Sequence, residues 1–210
     1  MPQLLGKLDA NPYQVNTTWL QADTAGVYRG ECAEFCGLQH AHMGFLVVAD
    51  ERADFDAWLE HQRQPAEIAP SDTPTAESAA TSAPANNNMP GNDVAATNVA
   101  ANGVAANGVA GIDVAANDVA AGAQAFARAG CIQCHAIRYG DGPVGGRLGP
   151  DLTHVGSRRT LAGNTLNNTL GAMEGWIGNP QAIKPGNNMP ALPLDAATLR
   201  ALAEYLEALK

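Results

Sequence analysis

Cys131-Ile132-Gln133-Cys134-His135 sets two thiols three positions apart, with an imidazole directly after the second. This spacing reads as covalent attachment of haem c: both cysteines can form thioethers with the haem vinyl groups while His135 reaches the iron. The flanks read as helices. Ala120 to Ala129 offers Phe126 for packing, and Asp195 to Lys210 gathers Leu199, Leu202, Leu206 and Leu209 on one apolar stripe behind Asp195 as cap. The sixth iron ligand must come from elsewhere. Met189 sits in Pro185-Gly186-Asn187-Asn188-Met189-Pro190, where prolines forbid a continuous helix and leave the side chain free to point at the iron. Met173 and His154 are its rivals, and Met173, between Leu170 and Trp176, reads as core. Histidine–methionine ligation raises the haem potential, which suits an electron carrier.

A second dense cluster lies upstream. Cys32, Cys36, His40 and Met43 supply two thiolates, an imidazole and a thioether within twelve residues. One folded loop can bring all four to a common centre, and a thioether beside thiolates favours copper. A Cys32–Cys36 disulfide and a closed zinc site are the alternatives, although zinc would want a third Cys or a second His in the set. The pattern around the cluster is β: Gln14 to Gln21 is rich in Val, Thr and Trp, Gly26 to Arg29 follows a turn, and Gly44 to Ala49 is a short apolar run. Asp50 can cap a short helix carrying Phe55, Trp58 and Leu59 on one face.

All four cysteines fall in these two clusters, which leaves none for a separate disulfide framework. The composition divides the 210 residues into three: 1–63, 64–120 and 121–210. Their net charges are −5, −6 and +2, which accounts for the overall −9. An acidic chain without a basic patch excludes nucleic acid as a partner class, since phosphate contacts need clustered Lys or Arg. The mildly cationic third segment could instead dock on the acidic first. Segment 64–120 is rich in Pro, Ala, Asn and Val, with a valine at every fifth position from Val94 to Val119. A five-residue period gathers these valines on one face of neither a helix nor a strand, so the segment reads as a disordered, extended linker, with a stacked pentapeptide solenoid as the competing reading. No run of eighteen apolar residues occurs, and Met1 to Lys7 lacks the order of a signal peptide.

The run Gly30-Glu31-Cys32-Ala33-Glu34-Phe35-Cys36-Gly37-Leu38-Gln39-His40-Ala41-His42-Met43, with Pro2-Gln3-Leu4 and Trp19-Leu20-Gln21-Ala22-Asp23, resembles subunit II of haem-copper cytochrome c oxidases. The resemblance implies a binuclear copper centre, CuA. Cys32 and Cys36 would bridge both coppers, His40 and the Glu34 carbonyl would complete one, and Met43 would bind the other. His42 matches no ligand position. The family's further histidine ligand and its membrane-anchoring helices would fall before Met1, and none of the five histidines present can replace that ligand by position. The resemblance therefore implies the C-terminal part of a cupredoxin-like barrel with an incomplete copper set, an exposed sheet edge and membrane association through helices absent from this chain. The stretch from Gly149 to Arg158, with Trp176 to Gln181 and the Met189 loop, resembles the class I cytochrome c domain fused to subunit II in some bacterial oxidases. It implies an all-α domain whose first and last helices cross, with Phe126 near Leu202 and Leu206. It also implies that the Pro150 carbonyl orients His135 and that Trp176 and Arg158 lie near the propionates.

Together these imply electron transfer from a reduced cytochrome or quinol-oxidising complex through haem c to CuA, and on to the oxygen-reducing subunit I and its companions. The expected place is the bacterial cytoplasmic membrane, facing the periplasm. The alternatives are a monohaem carrier with a vestigial copper segment, or a subunit of a CuA-containing nitric oxide or nitrous oxide reductase.

Overall fold

The computed structural model describes residues 4, 6–66, 114–140 and 142–210, with side chains of the helix starting at 114 described from 119 onward. The greater part of the expected linker therefore lies outside the described residues.

Two antiparallel strands, β1 (Gly26–Glu31) and β2 (Gly44–Ala49), form a hairpin whose register pairs Gly30 with Phe45 and Glu31 with Gly44. The strand ends bring Cys32 beside Met43, and the Cys32 amide donates to the Met43 carbonyl at 3.1 Å. The copper-type ligands thus sit on the loop joining two paired strands. Both strands were expected; a third was not found, since 14–21 is irregular and Trp19 is 80% exposed. Val, Thr and Trp make a strand only where a partner pairs with the backbone and a second layer covers the side chains, and the described residues offer neither. The hairpin leaves both outer edges without a paired strand among the described residues. No closed barrel forms there.

Helix α1 (Arg52–Arg63) follows, preceded by Glu51 rather than the expected Asp50, and without a capping side-chain hydrogen bond. Phe55 and Trp58 do share a face, with ring centroids 5.8 Å apart, but they remain 39% and 51% exposed. No residue of α1 is buried.

The C-terminal module is built differently. Helix α2 (Val114–Arg128) begins six residues before the expected start, so Val114 and Val119 of the five-residue repeat lie on it, and Val119 packs against the core. It crosses α5 (Ala196–Ala208), the last helix, which is capped by Asp195: the Thr198 amide donates to Asp195 Oδ1 at 2.9 Å. Between them lie the short hairpins β3 (Ala136–Tyr139) with β4 (Gly142–Gly145) and β5 (Thr160–Leu161) with β6 (Leu166–Asn167), then α3 (Leu170–Gly178) and α4 (Pro180–Ile183). The all-α expectation missed these hairpins. They are too short for their period to show in the sequence.

Phe126 meets Tyr205, with ring centroids 5.8 Å apart, within a core that includes Leu202 and Leu206. Leu202 and Leu209 are fully buried and Met173 nearly so, as the leucine stripe and the core reading of Met173 required. Each buried side chain of this size contributes about 1.5–3 kcal/mol of transfer free energy, and the first segment holds few comparable ones. The helix crossing depends on Gly122. A methyl added there would lie 2.1 Å from the Ala201 carbonyl oxygen and 2.5 Å from Tyr205 Cβ, and neither helix can give way without losing the crossing. Gly122→Ala is therefore expected to overpack this contact and lower the module's thermal midpoint by roughly 10 °C, measured by calorimetry.

Candidate metal centres

The upstream loop holds Cys32, Cys36 and His40 with one ligand atom of each within 4.8 Å of the others. The two Sγ atoms are 3.5 Å apart and both thiols are free, so the disulfide alternative is not what the structure contains. A short 3-10 turn over His40–His42 turns His40 inward, and its Nδ1 is buried without a hydrogen-bond partner. A buried imidazole nitrogen left unpaired is costly unless a ligand takes its lone pair. The Glu34 carbonyl oxygen lies 3.1 Å from Cys32 Sγ, at the edge of the same cluster. Met43 is brought alongside through its backbone contact with Cys32, while its side chain stays partly exposed. His42 is exposed and stands outside the cluster. The Cys36 thiol is pushed above its ordinary value, chiefly by its hydrogen bond with Cys32 and then by burial. A soft metal would take both as thiolates, releasing their protons.

The second centre starts from Gly130, left-handed at φ 78°, which turns the end of α2 into a 3-10 turn over Cys131–Gln133. The Cys134 and His135 amides both donate to the Cys131 carbonyl, at 3.1 and 2.9 Å, and both thiols are free. One tight turn therefore gathers the three attachment residues. Burial raises the Cys131 thiol. His135 Nδ1 lies 2.9 Å from the Pro150 carbonyl oxygen, an acceptor only, so Nδ1 carries the proton and Nε2 keeps its lone pair for a metal. Gly149 packs on the ring itself: a methyl there would lie 2.5 Å from Cε1 and 2.6 Å from Nδ1 of His135. Gly145 and Gly146 likewise press on the backbone of Gln133 to Ala136. No role was expected for Gly145, Gly146 or Gly149, although the glycine-rich run from Gly140 to Gly149 carries the signal.

Met189 is half-buried in an irregular loop. Gln181 Nε2 donates to the Asn187 and Met189 carbonyls at 2.8 and 2.9 Å, and the Met189 amide donates to Asn187 Oδ1 at 2.8 Å. Gln181 and Asn187, which lie in the quoted segments without an expected role, fix this loop. Of the rivals, Met173 is in the core, and His154 spends Nε2 on the Gln64 carbonyl at 3.0 Å while its buried Nδ1 has no hydrogen-bond partner among the described residues. Trp176 is half-buried, and the Arg158 guanidinium donates to the Asp151 carbonyl.

Residues 1–50 match the family described as cytochrome C oxidase subunit II, periplasmic domain, and residues 119–210 match cytochrome c. The chain is 34% identical across its whole length to cytochrome c oxidase subunit 2 of Alkalihalophilus pseudofirmus, of which it covers 47%. It is 28% identical across its length to cytochrome c oxidase subunit 2 of Bacillus sp. strain PS3, of which it covers 49%. A probable cytochrome c oxidase subunit 2 of Rickettsia bellii is 41% identical over 28% of the chain, which is 22% of that protein. The chain thus spans about half the length of the relatives that match all of it. A cytochrome c domain implies haem c, and the subunit II domain implies CuA copper. Residues 1–50 thus match a subunit II periplasmic domain and residues 119–210 a cytochrome c domain, and relatives named cytochrome c oxidase subunit 2 align across the whole chain, consistent with a subunit II that carries a fused cytochrome c.

Proposed function

We propose that this chain carries electrons from a reduced donor, through haem c on residues 121–210, to a CuA centre on residues 1–63, and on to the catalytic subunit of an aerobic oxidase. Segment 64–120 joins the two. The observation that carries this reading is the pair of built ligand sets in one chain: free, clustered Cys32, Cys36 and His40, and Cys131, Cys134 and His135 on one turn with Pro150 behind the imidazole. When bound, the haem and the copper supply reversible one-electron chemistry that no side chain here offers.

The chain's own residues hold and orient. Cys131, Cys134, His135 and Met189 would hold the haem; the Pro150 carbonyl and Gly149 fix the tautomer and plane of His135, and Gln181 with Asn187 braces the loop that carries Met189. Cys32, Cys36 and His40, with the Glu34 carbonyl and Met43, would hold the copper. Arg158 and Trp176 would lie near the haem propionates. The chain breaks no bond of a substrate; it contributes to the oxidase as its electron-entry subunit.

The reading assigns subunit I and its companions as partners, and a reduced cytochrome or quinol-oxidising complex as donor. It also assigns a place at the bacterial cytoplasmic membrane, facing the periplasm. No helix among the described residues is long and apolar enough to cross a membrane. Metal analysis and spectroscopy of the haem-matured, copper-supplied chain test the proposal. The expected result is one iron per chain, with a methionine-to-iron charge-transfer band that disappears in Met189→Ala, and copper bound alongside. Iron without any copper would refute the relay.

A further inference from the structure

The two modules touch at two places. At the first, helix α1 ends against the cytochrome domain. Arg138 Nη1 donates to the Arg63 carbonyl at 3.0 Å and Nη2 to the Gln62 carbonyl at 2.7 Å, while His154 Nε2 donates to the Gln64 carbonyl at 3.0 Å. The Ala66 amide returns a bond to the Arg138 carbonyl at 3.0 Å, and the His61 and His154 rings lie 4.8 Å apart. The last carbonyls of a helix have no partner within it and carry its partial negative charge, so a guanidinium fork and an imidazole N–H satisfy both needs at once. Arg138 is itself fixed, because its amide donates to Oγ1 of the buried Thr153 at 2.9 Å.

The second contact is the tip of the β5–β6 hairpin. Ala162, Gly163 and Asn164 are successively left-handed, at φ 54°, 65° and 63°. A left-handed alanine is strained and persists only where its surroundings over-determine it. The tip is pinned from inside by Thr165 Oγ1 on the Ala162 carbonyl at 2.8 Å. From outside, the Gly44 amide donates to the Gly163 carbonyl at 3.2 Å, one residue beyond Met43. Nearby, Gln39 Nε2 donates to the Pro185 carbonyl in the loop that carries Met189.

We propose that Arg138 and His154 latch the cytochrome domain onto the end of α1 in its own chain, and that this latched pose sets the hairpin tip and the Met189 loop against the copper loop. The partner recognised is a helix carboxyl end rather than an acidic patch: among the described residues every ion pair lies within one module. The difference in net charge between the segments then serves encounter, and the latch fixes the pose.

The proposal rests on the relay reading only for its purpose. Its test involves no electron transfer, so either can fail alone. Amide hydrogen exchange of the full haem-matured chain is expected to show slow exchange at both Ala66 and Gly44. In Arg138→Met both amides should speed up together, by roughly tenfold, while amides of the α2–α5 core keep their protection. His61→Ala, a change on an exposed surface of α1, should shift both in the same direction and decides the matter should Arg138→Met fail to fold. Ala66 and Gly44 exchanging in the unaltered chain like open-chain amides would overturn the latch. So would acceleration in neither variant, or acceleration of Ala66 alone.

Discussion

Replacing Cys131 and Cys134 with serine is expected to leave the chain with no covalently bound haem, so that haem staining after denaturing electrophoresis falls to background. The two thiols are free and stand on one turn, held by two amides on the Cys131 carbonyl. A hydroxyl forms no thioether, and no cysteine outside the two clusters can take over. Each single serine variant should keep one linkage and an intermediate stain. A haem held by His135 and Met189 would tie two distant segments of the module together, so the double variant should lose most of the module's thermal stability as well. A ligand bound only to the native state stabilises by mass action, and a covalent one does so without dissociating.

Cys36→Ser is expected to weaken copper binding by more than about 100-fold, measured by titration against a competing chelator, with His40→Ala close behind. Loss of partners that merely orient a ligand already costs about 10–100-fold, and in the proposed site these two residues would be ligands themselves. Serine keeps the size of Cys36 but offers a hard oxygen that a soft metal does not favour. The effect has a pH signature. The Cys36 thiol stands above its usual value because Cys32 hydrogen-bonds to it, so the thiolate that copper needs is scarcer at low pH. Copper uptake should therefore strengthen as pH rises and release protons. In Cys36→Ser that dependence should shrink.

Both side-chain clusters could be read from the sequence because each is compact. Cys131 to His135 and Cys32 to Met43 are local, and a loop or a single turn closes them whatever the rest of the fold does. The capped, leucine-striped last helix was legible for the same reason: Asp195 and the spacing of Leu199, Leu202, Leu206 and Leu209 act within a few turns. What escaped depends on distant partners. Gly122 matters only because Ala201 and Tyr205 cross it, and Gly149 only because the His135 ring lies against it. Gln14 to Gln21 has the composition of a strand, but composition supplies no partner to pair with. Arg138 carried no local signal and His154 read only as a rival iron ligand, since nothing local showed that the end of α1 would come to them. The short hairpins of the cytochrome domain are set by tertiary contacts, with two to four residues per strand.

The central claim is that the two centres are consecutive electron stops within one chain. The direct measurement loads the full chain with haem c and copper, reduces the haem with a limiting pulse of reductant, and follows haem and copper absorbance together. The account predicts that the haem reoxidises as copper is reduced, in a first-order step whose rate does not change with protein concentration. A rate that rises in proportion to concentration, or a haem that stays reduced beside oxidised copper, would contradict it.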